Sequence, residues 1–329
     1  MEKLREEIKK GRNMKDRSLD AYVRNISKLS KGMTKKDFKS LAFLKEYKKV
    51  IDFIDDKSLS SQRVMLASIL VALSPEGRGK YKKGFEEVAK KYTRYLTTQA
   101  KAYDDNIKTK QKSAKQEGNW VTLAELEKVR RKYGSYIKKI GYTQKDKDFK
   151  QGKERRHREL IQKYLVASLY LLTPPRRNSY ANMKIISNKD FEKLPEKERE
   201  NNNYLVVVSR NKKFFSFGDY KTKKSHGVQE FPVERKLNTV LNLWLRFNES
   251  EYLLLNSKGE KMTTNGLTKF LQKTFSPTGK KISSTMIRHI FATEKQPEGF
   301  SEALEKQEKL AKKMGHSLKE QQKTYVKKD

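Results

Sequence analysis

Cysteine is absent from the 329 residues. Its absence excludes a disulfide framework, cysteine-ligated zinc, iron–sulfur clusters and thiol catalysis. Histidine is scarce, with four in the chain, which narrows any imidazole-based metal site. Long apolar runs are missing as well. Leu169–Leu172 and Leu205–Val208 are among the longest, far short of the roughly 20 residues that span a bilayer. Met1–Lys10 is charged and lacks the apolar stretch of a secretory signal. Neither G-x-G-x-x-G nor G-x-x-x-x-G-K-[ST] occurs, which argues against a P-loop ATPase. The expectation is an intracellular protein with no membrane partner.

What the chain has in excess is positive charge. Lys plus Arg number 76 against 40 Asp plus Glu, a formal net charge of +36. Such a charge calls for a polyanionic partner, and nucleic acid is the first candidate, because each phosphate neutralised releases condensed counterions. The basic residues are spread through segments that also carry apolar periodicity. With 35% hydrophobic residues, including 15 Phe and 16 Tyr, the chain has material for a core with a basic face rather than a disordered basic tail.

Residues 15–105 read as helical. Ser18 is placed to cap a helix carrying Leu19, Tyr22, Val23, Ile26 and Leu29, Phe43 to Ile54 continue the helical spacing, and Ser58 opens a further run that Pro75-Glu76-Gly77 breaks. Residues 106–118 are polar, rich in Lys and Gln, and read as a linker. Thr122 with Glu125 is a capping-box pattern opening the next helix. A long helix from about Lys153 ends at Pro174-Pro175. Tyr204–Val208, Lys213–Phe217 and Val228–Val233 read as three antiparallel strands, followed by helices near 234–248, 264–275, 283–294 and 301–314. The expected fold is therefore α+β: a small all-α DNA-binding domain (1–105), a linker (106–118), and a mainly helical catalytic domain (119–329) with a small three-stranded antiparallel sheet.

One set of residues carries chemistry. In chain order it is Arg176 (or its neighbour Arg177), Lys221 (or Lys223), Arg288, His316 and Tyr325, the last nine residues beyond His316. Two guanidiniums hold non-bridging phosphate oxygens and match the charge of a pentavalent phosphorus. An imidazole donates a hydrogen bond or takes a proton. A lysine on a turn protonates a departing 5′ oxygen, and a tyrosine hydroxyl attacks phosphorus. The set suits phosphodiester transfer with no cofactor and no metal.

The flanking residues sharpen this. Arg288-His289-Ile290-Phe291-Ala292-Thr293 resembles the R-H-T-F-A-T helix of the tyrosine recombinases, the superfamily of phage integrases and type IB topoisomerases. Met314-Gly315-His316-Ser317 resembles its L-G-H-S, and Thr173-Pro174-Pro175-Arg176-Arg177 its T-G-x-R. The Pro-Pro-Arg-Arg-Asn variant and the lysine-rich composition look like the recombinases of large DNA viruses and virophages. The resemblance implies a site-specific recombinase or integrase that cleaves and rejoins double-stranded DNA through a 3′-phosphotyrosine, self-associates on DNA and works on host or viral genomes. A type IB topoisomerase and a catalytically idle DNA-binding protein of the same fold are the alternatives. One departure stands out. The family's second box is H-x-x-R, and here Thr285 stands in the histidine's place, so the proton-accepting role passes to His316 or to water. His289 belongs to the R-H pair and is a secondary candidate.

Overall fold

The structure is a computed structural model that describes residues 1–77, 79–109, 111–141 and 154–322. It divides into two compact units, Met1–Lys112 and Ser113–Asp329.

The first unit is helical. It runs α1 (Glu2–Gly11), α2 (Asp16–Thr34), a 3₁₀ turn (Ala42–Lys45), α3 (Tyr47–Asp55), α4 (Leu59–Leu73) and α5 (Glu86–Lys108). Ser58 caps α4 by accepting the Ser61 N–H. The helix α4 is the central one: Leu66, Ile69, Val71, Ala72 and Leu73 are all buried, and it packs on α2 and α5. A helix apolar on most sides has to be enclosed by others. Tyr92 of α5 joins this core, and its hydroxyl donates to the Leu44 carbonyl at 2.8 Å. Ser18 lies inside α2 rather than at its start.

The second unit opens with α6 (Ala114–Glu117), α7 (Leu123–Lys139) and α8 (Glu154–Leu171). It continues through β1 (Lys184–Ser187), α9 (Asn188–Lys193), α10 (Glu196–Asn201), β2 (Asn203–Val207), β3 (Lys213–Phe217), α11 (Lys223–His226) and β4 (Gln229–Pro232). It closes with α12 (Arg235–Leu245), α13 (Thr264–Thr274), α14 (Ser284–Glu294), α15 (Phe300–Lys313) and α16 (Leu318–Glu320). Its core surrounds α8, whose Ile161, Leu165, Val166, Leu169 and Tyr170 are buried with Trp244, Leu271 and Ile287.

One expectation needs correction. The sheet has four strands in the order β1-β2-β3-β4 and is mixed, not three-stranded and antiparallel. Strand β1 pairs parallel to β2, with Ile185 opposite Leu205, while β2–β3 and β3–β4 are antiparallel. A parallel pair needs a crossover, and here α9 and α10 supply it. Residues 106–118 include the boundary between the two units and carry the end of α5 and the short helix α6. Helix α5 runs to Lys108, and Ser113 and Gln116 form a complete capping box around α6. Lys, Gln and Ala are good helix formers, so Ala114–Glu117 turns helical without an apolar face.

Candidate phosphate cleft

The double proline after α8 sets the first wall. Pro174 and Pro175 offer no N–H to continue the helix, so the chain leaves α8 and presents Arg176 and Arg177. The Tyr170 hydroxyl donates to the Arg177 carbonyl at 3.0 Å. Asn178 donates to the Thr264 carbonyl at 3.0 Å and to the Thr268 hydroxyl at 2.8 Å. These bonds hold the arginine loop against α8 on one side and α13 on the other.

Arg176 is half-buried among aromatic rings. Its guanidinium carbon lies 4.0 Å from the centroid of Phe217, 5.2 Å from Tyr220 and 5.3 Å from Phe231. One Nη donates to Gln229 Oε1 at 2.9 Å, while Nε is buried with no hydrogen-bond partner among the described residues. Burial lowers its pKa, and the Arg288 charge pushes the same way against a contrary pull from Tyr180 and Tyr220. A buried donor without an acceptor is costly, and the oxygens of an anion would satisfy it.

Arg288 comes from α14. Ser283 caps that helix by accepting the Met286 N–H, and Met286, Ile287 and Ile290 anchor it in the core. At its far end Glu294 accepts the Leu123 N–H of α7 at 3.0 Å. Burial lowers the Arg288 pKa, with a further contribution from Arg177.

The third wall is the β3–β4 connection. Asn203 ties it to the arginine loop. Its amide donates to the Ser179 and Asp219 carbonyls, both at 2.9 Å, and its Oδ1 accepts the Asp219 N–H at 3.0 Å. Together these elements enclose a cleft of about 300 Å³ lined by Arg176, Arg177, Tyr220, Lys221, His226, Gln229 and Arg288, among others, and, among the described residues, by no carboxylate.

The cleft thus gathers four expected residues: Arg176, Arg177, Lys221 and Arg288. Lys223 is turned elsewhere, its ammonium donating to the Glu200 carbonyl at 2.6 Å and lying 3.3 Å from the Glu200 carboxylate. Thr285 and His289 are exposed on α14 and do not line the cleft. Nor does His316. The Gly315 and His316 N–H groups bond back to Lys312 and Ala311, the paired closure of a helix by a left-handed glycine, and Gly315 has φ +75°. Ser317 then caps α16. His316 is half-buried at this double helix end. Helix α15, which leads into it, buries Ala311 and leaves Phe300, Leu310 and Met314 exposed. Tyr325 lies outside the described residues.

Two cleft residues had no sequence signal, His226 and Gln229. Asn203, the bridge beneath them, had none either. Each is one polar or aromatic residue among many, and only the fold places it. Among the described residues no group of three or more His, Asp or Glu is arranged to hold a metal ion, and no helix is long and apolar enough to cross a membrane.

No family model and no curated protein matches this chain. Among solved structures, the XerH site-specific recombinase bound to its difH substrate in a pre-cleavage complex is similar, at TM-score 0.37 and 13% identity over 84% of this chain and 68% of that one. A likeness of that size adds nothing to the reading of the cleft, which rests on its own residues.

Proposed function

We propose that this chain is a DNA strand transferase of the tyrosine recombinase kind, acting on double-stranded DNA as a site-specific recombinase. The observation that carries the reading is the cleft: among the described residues it has four cations, an unsatisfied buried guanidinium nitrogen and no carboxylate, in a space of about 300 Å³ that admits a phosphodiester. Carboxylate-free cationic clefts favour anions, and two guanidiniums from different elements suit the oxygens of a phosphorus under attack. The net charge of +36 fits a DNA partner.

In this mechanism Arg176 and Arg288 grip the non-bridging oxygens. The Tyr325 hydroxyl attacks phosphorus, the bond to the 5′ oxygen breaks, and Lys221 protonates that oxygen. The product is a 3′-phosphotyrosyl link and a free 5′ hydroxyl. Reversal onto a second 5′ hydroxyl completes strand exchange, with copies of the protein associating on the DNA. Because the guanidiniums supply the positive charge, neither divalent metal nor ATP takes part.

The test is a nicked suicide duplex resolved on denaturing gels in EDTA. A covalent 3′ adduct that disappears in Tyr325→Phe supports the proposal. No adduct, or an adduct that survives Tyr325→Phe, overturns it. Strand exchange between two duplexes separates a recombinase from a topoisomerase, which relaxes supercoils alone.

A further inference from the structure

Among the described residues, the cleft is lined by four cationic side chains and one imidazole, that of His226. Guanidiniums cannot accept a proton, and the ammonium of Lys221 has to give one up rather than take one. A tyrosine that attacks phosphorus must lose its proton. The residue in the second-box position, Thr285, is exposed and outside the cleft.

His226 is also held in place. It ends α11, a single helical turn over Lys223–His226. Lys223 anchors the start of that turn on Glu200. Gly227 closes it, donating its N–H to the Lys223 carbonyl at 2.8 Å. The backbone there has φ +64° and ψ −160°, a conformation reserved for glycine. The Tyr220 hydroxyl then donates to the Gly227 carbonyl at 2.7 Å. Tyr220 itself borders Arg176, so the same side chain that flanks the phosphate clamp fixes the turn carrying the imidazole.

We infer that His226 is the proton acceptor of the cleft: the imidazole takes the proton of the attacking hydroxyl as the oxygen–phosphorus bond forms, while Lys221 supplies the proton that leaves with the 5′ oxygen. The inference deepens the strand-transferase reading and rests on it. The proton count balances, with the imidazole gaining one and the ammonium losing one, and the reverse occurs on rejoining. Among the described residues, the charged and titratable groups that line the cleft with His226 are Arg176 and Arg177 from the arginine loop, Tyr220 and Lys221 from the β3–β4 connection, and Arg288 from α14; Lys223 and Lys224 share its own turn. None of these is a carboxylate that would compete for the proton.

Two measurements test it. In single-turnover cleavage, His226→Gln should be slower by about 100-fold, with DNA affinity within a few-fold of wild type. The wild-type pH–rate profile should bend on its acid side, and the bend should vanish in His226→Gln. Added imidazole should restore His226→Ala but not Lys221→Ala, and a 5′-bridging phosphorothiolate substrate should restore Lys221→Ala but not His226→Ala. Cleavage by His226→Gln within three-fold of wild type, with an unchanged pH profile, overturns the inference. The second measurement needs no activity. In protein with labelled histidines, inorganic phosphate should move the His226 imidazole signals, identified by their loss in His226→Gln, and Arg176→Ala should abolish the movement. Signals that stay put overturn the inference. Wild-type protein that forms no adduct refutes the strand-transferase reading separately, and the phosphate titration still decides whether His226 faces the anion.

Discussion

The guanidinium of Arg176 lies 4.0 Å over the ring of Phe217, the last residue of β3. The contact explains how a half-buried arginine with no carboxylate partner among the described residues keeps one orientation. Aromatic faces attract the cation, and a planar guanidinium stacks where an ammonium does not. The first prediction follows from this geometry. Arg176→Lys keeps the charge but loses the stack and the fork. Single-turnover cleavage should fall at least 100-fold, as for loss of a transition-state donor, while duplex affinity changes by a few-fold. Equal activity of the lysine variant would show that charge alone suffices.

Asn203 offers a second prediction. It is 7% exposed and joins the arginine loop at Ser179 to the lysine loop at Asp219. Asn203→Leu leaves two carbonyls and one N–H without their partner, a cost of about 1–3 kcal/mol per buried group. The melting temperature should drop by several degrees. Cleavage measured well below the melt should fall further than DNA binding, because the loops that carry Arg176 and Lys221 are no longer tied. A loss of stability with cleavage unchanged would make Asn203 purely a core residue.

The parts of the fold that read well in the sequence were those with local causes. Ser58 and Thr122 cap helices because their side chains satisfy free N–H groups one turn on. Strand β3 shows through Phe214, Phe215 and Phe217, aromatic residues suited to a pleated surface. Strand β1 was hidden because it is four residues long and is defined by a parallel partner some twenty residues away in the chain. In the site, Arg176, Lys221 and Arg288 were legible because their neighbours form recognisable strings. His226 and Asn203 were not, since their significance comes from elements that meet only in three dimensions. The Met314–Ser317 string has its own structural cause, a glycine closure followed by a serine cap.

A third prediction separates the two lysines that the sequence left as alternatives. Lys221 is exposed in the cleft, whereas Lys223 is engaged by Glu200. Lys221→Ala should abolish cleavage of an ordinary duplex and recover on a 5′-bridging phosphorothiolate, whose leaving group needs no proton. Lys223→Met should lower the melting temperature and reduce cleavage on both substrates alike, because it loosens α11 rather than removing an acid. Rescue of Lys223→Met alone would reverse the assignment.

Binding supplies a fourth. With 76 Lys and Arg in the chain, affinity for duplex DNA should fall steeply with salt, at a log–log slope of roughly −0.9 per phosphate neutralised. Arg177→Ala, which removes an exposed cation from the cleft, should reduce that slope by about one. Filter binding across a salt series measures it, and a slope near zero for the wild type would refute a DNA partner.

Alkaline stability gives the fifth. Burial, together with the Glu198 charge, raises the Tyr204 hydroxyl to about 12, and burial with a hydrogen bond to Asp55 does the same to Tyr95. The folded state therefore holds protons that the unfolded chain releases near 10, so these groups favour folding below pH 10 and lose that contribution as pH climbs from 10 to about 12. Lys213 acts in the opposite sense. It is 3% exposed, and its ammonium donates to Asn238 and Asn242 at 2.7 and 2.6 Å rather than to a carboxylate. Burial, with the nearby Arg210 charge, lowers its pKa below the ordinary 10.5, so the unfolded chain binds the extra proton and rising pH favours the folded state until 10.5 is passed. The melting temperature followed by helix circular dichroism should therefore decline above pH 10. Tyr204→Phe should flatten the decline by up to one proton's worth of slope, about 1.4 kcal/mol per pH unit. Lys213→Met should remove the stabilisation gained as pH approaches 10.5, so that the variant, compared with wild type, gains less on going from pH 9 to 10.5. A Tyr204→Phe variant whose melting temperature falls as steeply as that of the wild type between pH 10 and 12 would show that this hydroxyl titrates alike in both states.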